Sequence, residues 1–162
     1  MTKEAAEYFS AVYEKYSDDV YRLCLIYMKN KDDAEEAVSE AFVRLMEARP
    51  EFENEAHEKA WLMKTAVNIC RNIHKSFWKK NVVGNEEVLG YMTCPEETSI
   101  MEEVLSLPPK YRAVIYLHYY QGYKAREISE MTGISTSAVL SRLARGRRKL
   151  KELITEGGFS YV

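Results

Sequence analysis

The sequence predicts an all-α protein of two small helical domains joined by a flexible linker. Apolar residues recur at helical spacing along most of the 162-residue chain. Glycine and proline number only 7 and 4, so little breaks the helices. The one long stretch without a sustained period, "NVVGNEEVLGYMTCPE", holds two glycines and a proline and separates two helical halves. The expected boundaries are a first domain at 1–80, a linker at 81–95 and a second domain at 96–156. A chain that is 46% hydrophobic and 30% charged has the composition of a folded, soluble protein.

The elements follow in order. The first helical stretch runs from about Glu4 to Lys29, with a break expected near Ser17–Asp18. "NKDD" starts the next, from Asp32 to about Arg49. There Ala34, Ala37, Val38, Ala41, Phe42 and Leu45 recur at i, i+3, i+4, i+7, i+8 and i+11, the pattern of one buried face. Pro50 in "RPEFENEAHE" stops that helix. Helix resumes near Glu55 or Ala56 and continues to about Lys79, with an apolar stripe of Leu62, Ala66, Ile69, Ile73 and Phe77. After the linker, helices are expected from about Glu96 to Ser106, Pro109 to Gln121, Ala125 to Met131 and Ser135 to Thr155.

Net charge is only −2, yet it is arranged in blocks. Residues 1–60 hold 8 basic and 15 acidic side chains, and 61–80 hold 5 basic and none acidic. Residues 81–109 hold 6 acidic and none basic, and 110–151 hold 10 basic and 2 acidic. Alternating blocks suggest surfaces facing different partners, and the basic ones suit a polyanion. No apolar run approaches the roughly 20 residues of a membrane span, and the polar N-terminus "MTKEAAEYFS" is not a signal peptide. No membrane insertion is therefore expected, and a cytoplasmic location is. Cys24, Cys70 and Cys94 are odd in number and far apart, and His57, His74 and His118 are as scattered, so no metal site is expected. Cys24 and Cys70 read as small reduced core residues. No phosphate-cradling glycine loop and no acid, base and nucleophile set appears, so neither enzyme activity nor a cofactor is expected.

The second half carries "GYKAREISEMTGISTSAVLSRLARGRRKLKEL". A short helix buries Ile128 and Met131. Gly133 supplies the left-handed residue that closes it, and Ser135 is a good N-cap for the next helix. That helix buries Val139, Leu143 and Leu150 and leaves Leu140 over. This is a helix-turn-helix. A recognition helix enters the major groove N-terminus first. Thr136, Ser137, Leu140 and Ser141 are then placed toward base edges, and Arg142, Arg145, Arg147, Arg148 and Lys149 toward phosphates, with the cap residue Ser135 counted among the DNA contacts. Basic residues at a helix C-terminus also complement its dipole, but six between Arg142 and Lys151 exceed that need. Tyr111, Tyr116, Tyr119, Tyr120 and Tyr123, just before the motif, read as core and rim packing.

The first half differs. Asp33, Glu36 and Glu40 form an acidic stripe at i, i+3 and i+7, opposite the apolar one. On the helix before the linker, Lys64, Asn68, Arg71, Lys75 and Lys79 form a polar line with no acid among them, a plausible nucleic-acid face.

"DDAEEAVSEAFVRLME", "AWLMKTAVNICRN" and "SLPPKYRAVIYLHYYQGYKAREISEMTGISTSAVLSRLARGRRKL", in that order, resemble a bacterial sigma-70 family factor. The resemblance is to the small extracytoplasmic function (ECF) group, which keeps regions two and four joined by a linker, and it spans about residues 8–153. It implies a protein that directs core RNA polymerase to promoters, with the β′ clamp helices and the β flap as polymerase contacts and an anti-sigma factor as a further partner. The acidic helix resembles region 2.2, so Asp33, Glu36, Glu40 and Arg44 are the implied polymerase contacts. The loop Phe52–Glu58 and helix 59–79 resemble regions 2.3 and 2.4. Phe52, Glu53, Asn54, Lys64, Asn68, Arg71 and Lys75 are the implied contacts to the melted minus-ten element. The helix-turn-helix resembles region 4.2, which reads the minus-thirty-five element as duplex.

The chain departs from the family pattern in places. Ser39 stands where Gln is usual, and Leu140 where Lys or Arg is common. The paired aromatics that melt DNA in housekeeping factors have no clear counterpart: Phe77 and Trp78 come too late, and Trp61 reads as core packing. Two other readings stay open. One is a stand-alone helix-turn-helix regulator whose first half is a dimerisation or sensor module. The other is an interaction adaptor whose basic helices meet acidic proteins.

Overall fold

The computed structural model describes residues 2–76, 85–90 and 100–156, with backbone alone at 74–76, 85 and 156. The chain forms two compact units, Met1–Val82 and Val83–Val162. Every regular element among the described residues is a helix.

The first unit packs three helices on one another: α1 (Lys3–Met28), α2 (Lys31–Ala48) and α3 (Glu55–Ser76). Each start has a side-chain cap. Thr2 Oγ1 accepts from the Ala5 N–H at 3.0 Å, Asn30 Oδ1 from Asp33 at 3.0 Å and Asn54 Oδ1 from His57 at 2.9 Å. Lys29 and Arg49 close α1 and α2 at φ 52° and 43°, the left-handed stop that usually takes glycine. The inner face of α2 presents Ala34, Ala37 and Ala41, all fully buried. Such small side chains let α1 and α3 approach closely. The expected break near Ser17–Asp18 does not occur, and α1 is one helix of 26 residues. Its apolar stripe continues through Val12, Tyr16, Val20 and Leu23, while Asp19 points outward to Arg22 and Lys59.

Cys24 and Cys70 are buried and reduced, one from α1 and one from α3. Burial, then hydrogen bonding to Cys24, holds the Cys70 thiol well above its ordinary pKa. Cys94 lies outside the described residues. At the other end of the bundle, the Tyr8 hydroxyl donates to Glu58 Oε2 at 2.6 Å, Lys15 pairs with Glu55, and the Tyr16 hydroxyl donates to the Glu55 carbonyl at 3.3 Å. Burial, then the Glu58 hydrogen bond, pushes the Tyr8 hydroxyl up to about 12.

The second unit contains α4 (Asn85–Leu89), α5 (Met101–Leu105), α6 (Pro109–Ile115), α7 (Ala125–Thr132) and α8 (Thr136–Glu156). Pro109 opens α6 at N1, where its missing N–H costs nothing. Beyond Ile115 the chain continues as a π-helical turn, Tyr116–Tyr120, closed by the Gln121 N–H donating to the Tyr116 carbonyl at 3.1 Å. Arg112 is buried and donates to the Leu107 carbonyl at 3.0 Å, at the end of α5. Backbone acceptors thereby offset the cost of burying its charge.

Two expectations need correction. Part of the 81–95 stretch is ordered as α4, whose Val88 is fully buried against the second unit; that apolar anchor is too short to show as a period. The expected loop Phe52–Glu58 ends at Asn54, because its cap starts α3 at Glu55. Of the helix expected from Glu96 to Ser106, Met101–Leu105 is α5, and 96–99 lie outside the described residues. Phe77, Trp78 and Lys79 lie outside them too.

Gly146 sits where α8 crosses α6. A Cβ there would stand 3.0 Å from Ile115 Cγ1 and 3.6 Å from Tyr111 Cβ. Glycine therefore lets the two helices meet backbone to side chain, at a cost in helix propensity of about 1 kcal/mol relative to alanine. Gly146→Ala should accordingly be close to neutral, since Ile115 must yield a few tenths of an ångström. Gly146→Val should cost about 1–3 kcal/mol by overpacking. Urea unfolding of the two variants checks this, and equal stability would mean that Gly146 does not limit the crossing.

Candidate functional site

On α2 the apolar stripe turns inward, so Glu36, Glu40 and Arg44 are exposed. Asp33 is only half-exposed, a correction to the stripe, because it lies in the capped first turn close to Cys70. Arg44 Nε pairs with Glu40 Oε1 at 3.2 Å, the i, i+4 geometry of neighbouring helix turns. Val43 is 45% exposed and shares a line with Glu36, Glu40 and Glu47. The acidic face therefore has an apolar point at its centre, which the charge pattern did not signal.

Arg44 also turns toward α3. With Glu47 and Ala48 it lines a cleft of about 450 Å³ whose other wall is Trp61, Thr65 and Asn68. Trp61 is half-buried at this surface, not in the core as expected. The Phe52 ring meets it edge-on at 6.1 Å and meets His57 edge-on at 5.3 Å. Glu53 donates its N–H to His57 Nδ1 at 3.2 Å, and Asn54 is spent on the α3 cap. Arg71 Nη2 donates to Asn68 Oδ1 at 3.2 Å. Exposed Lys64 and Asn72 continue this face. Lys75 lies on it by spacing, but its side chain is outside the described residues. The structure thus brings Phe52, Asn68, Arg71 and Lys64 to one face around Trp61. An indole wall with an amide and cations at its rim can stack an unpaired base and hold its phosphates.

In the second unit, α7 and α8 form the expected helix-turn-helix. Gly133 has φ 75° and donates to the Ser129 carbonyl at 3.0 Å. The Lys124 N–H donates to Glu127 Oε1 at 2.9 Å at the start of α7. Ser135 Oγ accepts from the Ala138 N–H at 3.1 Å, so Ser135 caps α8. Burial of Val139, Leu143, Gly146 and Leu150 fixes the rotation of α8. Its outer surface then carries three lines. Ser137, Ser141 and Arg148 run along the middle. Leu140, 55% exposed, and Arg147 follow one edge beyond Thr136. Arg142, Arg145 and Lys149 follow the other edge.

Tyrosines back both edges. Arg147 Nη1 donates to the Tyr119 hydroxyl at 3.0 Å. The Arg145 guanidinium lies beside the Tyr111 hydroxyl, and Lys149 Nζ lies 5.9 Å from the centre of the same ring. Partial burial pushes the Tyr111 hydroxyl up. The Arg145 hydrogen bond and the Lys110 and Arg145 charges outweigh it and bring the group below the usual phenol range. Tyr111 and Tyr116 are buried and Tyr120 and Tyr123 half-buried, as expected of core and rim, but Tyr119 is exposed. Among the described residues no cluster of three His, Cys, Asp or Glu side chains fits a metal ion, and no helix is long and apolar enough to cross a membrane.

Two family models match the chain in order: sigma-70 region 2 over residues 12–80 and sigma-70 region 4 over residues 97–150. The RNA polymerase sigma factor SigZ of Bacillus subtilis is 30% identical over 121 residues, covering 70% of this chain and 68% of SigZ. The ECF RNA polymerase sigma factor SigW of the same organism is 28% identical over 167 residues, covering 91% and 89%. Among solved structures, the sigma factor RpoE of Bartonella quintana, crystallised with the anti-sigma factor NepR, has the same fold, with a TM-score of 0.64, 18% identity and coverage of 91% of this chain and 96% of that one. The first half thus matches region 2 and not a separate dimerisation or sensor module. With both regions matched in order around the helix-turn-helix just described, this chain belongs to the sigma-70 family of RNA polymerase sigma factors and to its ECF group.

Proposed function

We propose that the chain binds core RNA polymerase through the acidic face of α2, holds the melted minus-ten element on α3, and reads the minus-thirty-five element with α8. It is a transcription initiation factor and not an enzyme. The observation that carries this division is the arrangement of outward-facing charge: an acidic line on α2 beside a polar and basic face on α3 in one unit, and a helix with basic edges in the other. Asp33, Glu36 and Glu40, with Val43 between the acids, complement a basic partner surface such as the β′ clamp helices. Arg44 belongs both to that face and to the cleft. The polymerase and minus-ten roles fall within 1–80 and the minus-thirty-five role within 96–156. In the intervening 81–95, α4 packs on the second unit. The β flap is the second polymerase contact, an anti-sigma factor is the regulatory partner, and the site of action is the cytoplasm.

At the minus-ten side, Trp61 forms the wall against which an unpaired base stacks, with Asn68 at the rim and Lys64 and Arg71 on the phosphates. At the minus-thirty-five side, Ser137 and Ser141 face the bases between flanking cations. Leu140 offers an apolar surface to a thymine methyl where another factor would offer a cation.

The decisive experiment is transcription in vitro with core polymerase, with and without this chain, mapping start sites across genomic DNA; no new start sites would overturn the proposal. Reversing charge at Asp33, Glu36 and Glu40 together should abolish core binding while circular dichroism is unchanged. Full retention of core affinity would remove the acidic face from the interface. Asn68→Ala or Arg71→Ala should lower open-complex formation, read by permanganate footprinting, at least several-fold more than closed-complex binding. Equal loss in both steps would make these residues simple anchors. Leu140→Arg should change the preferred base at one position by about 1–3 kcal/mol, most favourably toward guanine. A uniform change across all promoters would place this side chain at the backbone.

A further inference from the structure

Tyr119 is the fourth residue of the π-helical turn. An i to i+5 bond widens such a turn and shifts the residues along it around the axis. Of the five tyrosines from Tyr111 to Tyr123, only Tyr119 is exposed, at 52%. Its ring is held from beneath by His118, which meets it edge-on at 4.7 Å. His118 Nδ1 lies 2.8 Å from the Tyr123 carbonyl. A carbonyl only accepts, so Nδ1 carries the proton and the imidazole is fixed. The Tyr119 hydroxyl oxygen accepts from Arg147 Nη1 at 3.0 Å.

That bond uses a lone pair of the phenol and one of the five guanidinium protons. The phenol proton remains available, and a phenol that accepts from a cation donates more strongly. Arg147 shares its edge of α8 with Leu140, so the pair stands beside the surface that faces bases. A phosphodiester offers more than one acceptor oxygen and carries a full charge. We propose that Tyr119 and Arg147 form one phosphate-binding unit, in which the Tyr119 O–H and a second Arg147 N–H donate to the same promoter phosphate. The proposal rests on the reading that α8 meets promoter DNA. It brings the π-helical turn, outside the helix-turn-helix, into that interface. If the pair only braced α8 against the turn, removing the hydroxyl would alter stability and leave DNA binding unchanged.

The test uses holoenzyme reconstituted from core polymerase and full-length chain carrying Tyr119→Phe, Arg147→Ala or both, titrated with promoter duplex over a salt series. Tyr119→Phe should weaken binding about three- to tenfold, the value of one hydrogen bond, and equally for matched and altered minus-thirty-five elements. It removes no charge, so the log–log salt slope should stay as in the parent, whereas Arg147→Ala should flatten it by about one. The double variant should lose less than the product of the single losses. On duplexes with single neutral methylphosphonates, one position should weaken the parent chain and abolish the difference between it and Tyr119→Phe. Parent-like binding by Tyr119→Phe, with Arg147→Ala impaired, overturns the pair and leaves the reading of α8 standing. Parent-like binding by Arg147→Ala overturns both at this edge.

Discussion

Each long helix of this chain has a single apolar stripe, and burying that stripe leaves no freedom in which side chains face outward. On α2 the buried alanines and Leu45 put Glu36 and Glu40 in solvent. On α8 the buried line Val139, Leu143, Gly146 and Leu150 puts serines along the middle of the outer surface and cations along both edges. Apolar burial is non-directional and strong, whereas exposed charges contribute little to stability. The core therefore sets the rotation of each helix, and the charged lines are carried with it. A binding surface made this way needs no separate structural support.

The arginines of α8 are nonetheless not left loose. A free arginine side chain loses much rotamer entropy on binding. Tyr111 and Tyr119 already hold Arg145 and Arg147, so part of that loss is met in the fold. Gly146 lies between these two arginines and brings their backbone down onto α6. The close approach of α8 to α6 at Gly146 thus lies next to the arginines that meet these tyrosines. The buried guanidinium of Arg112, bonded to the Leu107 carbonyl, ties α6 to the end of α5.

A net charge of −2 conceals strongly polar surfaces. Acids concentrated on α2 and cations on α8 let one chain engage partners of opposite sign. Fields of this kind steer encounter and orient partners more than they add affinity. Glu40 and Arg44 pair at the boundary between the acidic face and the α2–α3 cleft. That ion pair is where the acidic surface of α2 and the polar surface of α3 meet.

Most of the helices, their buried stripes, the division into two halves, and the helix-turn-helix with its Gly133 turn and Ser135 cap are legible in the residues alone. All of these depend on residues within about one or two helical turns of each other, so periodicity and capping chemistry are enough to read them. The tertiary structure decided the rest. Trp61 stands in a cleft because Arg44 and Glu47 of another helix form its far wall. Cys24 meets Cys70 because α1 and α3 pack side by side. Val88 orders a short helix in the expected linker because α5 offers it a surface. Tyr119 reaches Arg147 across 28 positions of chain, through a π-helical turn that no local pattern announces. Each of these is a contact between distant segments, and its geometry exists only once the helices have packed.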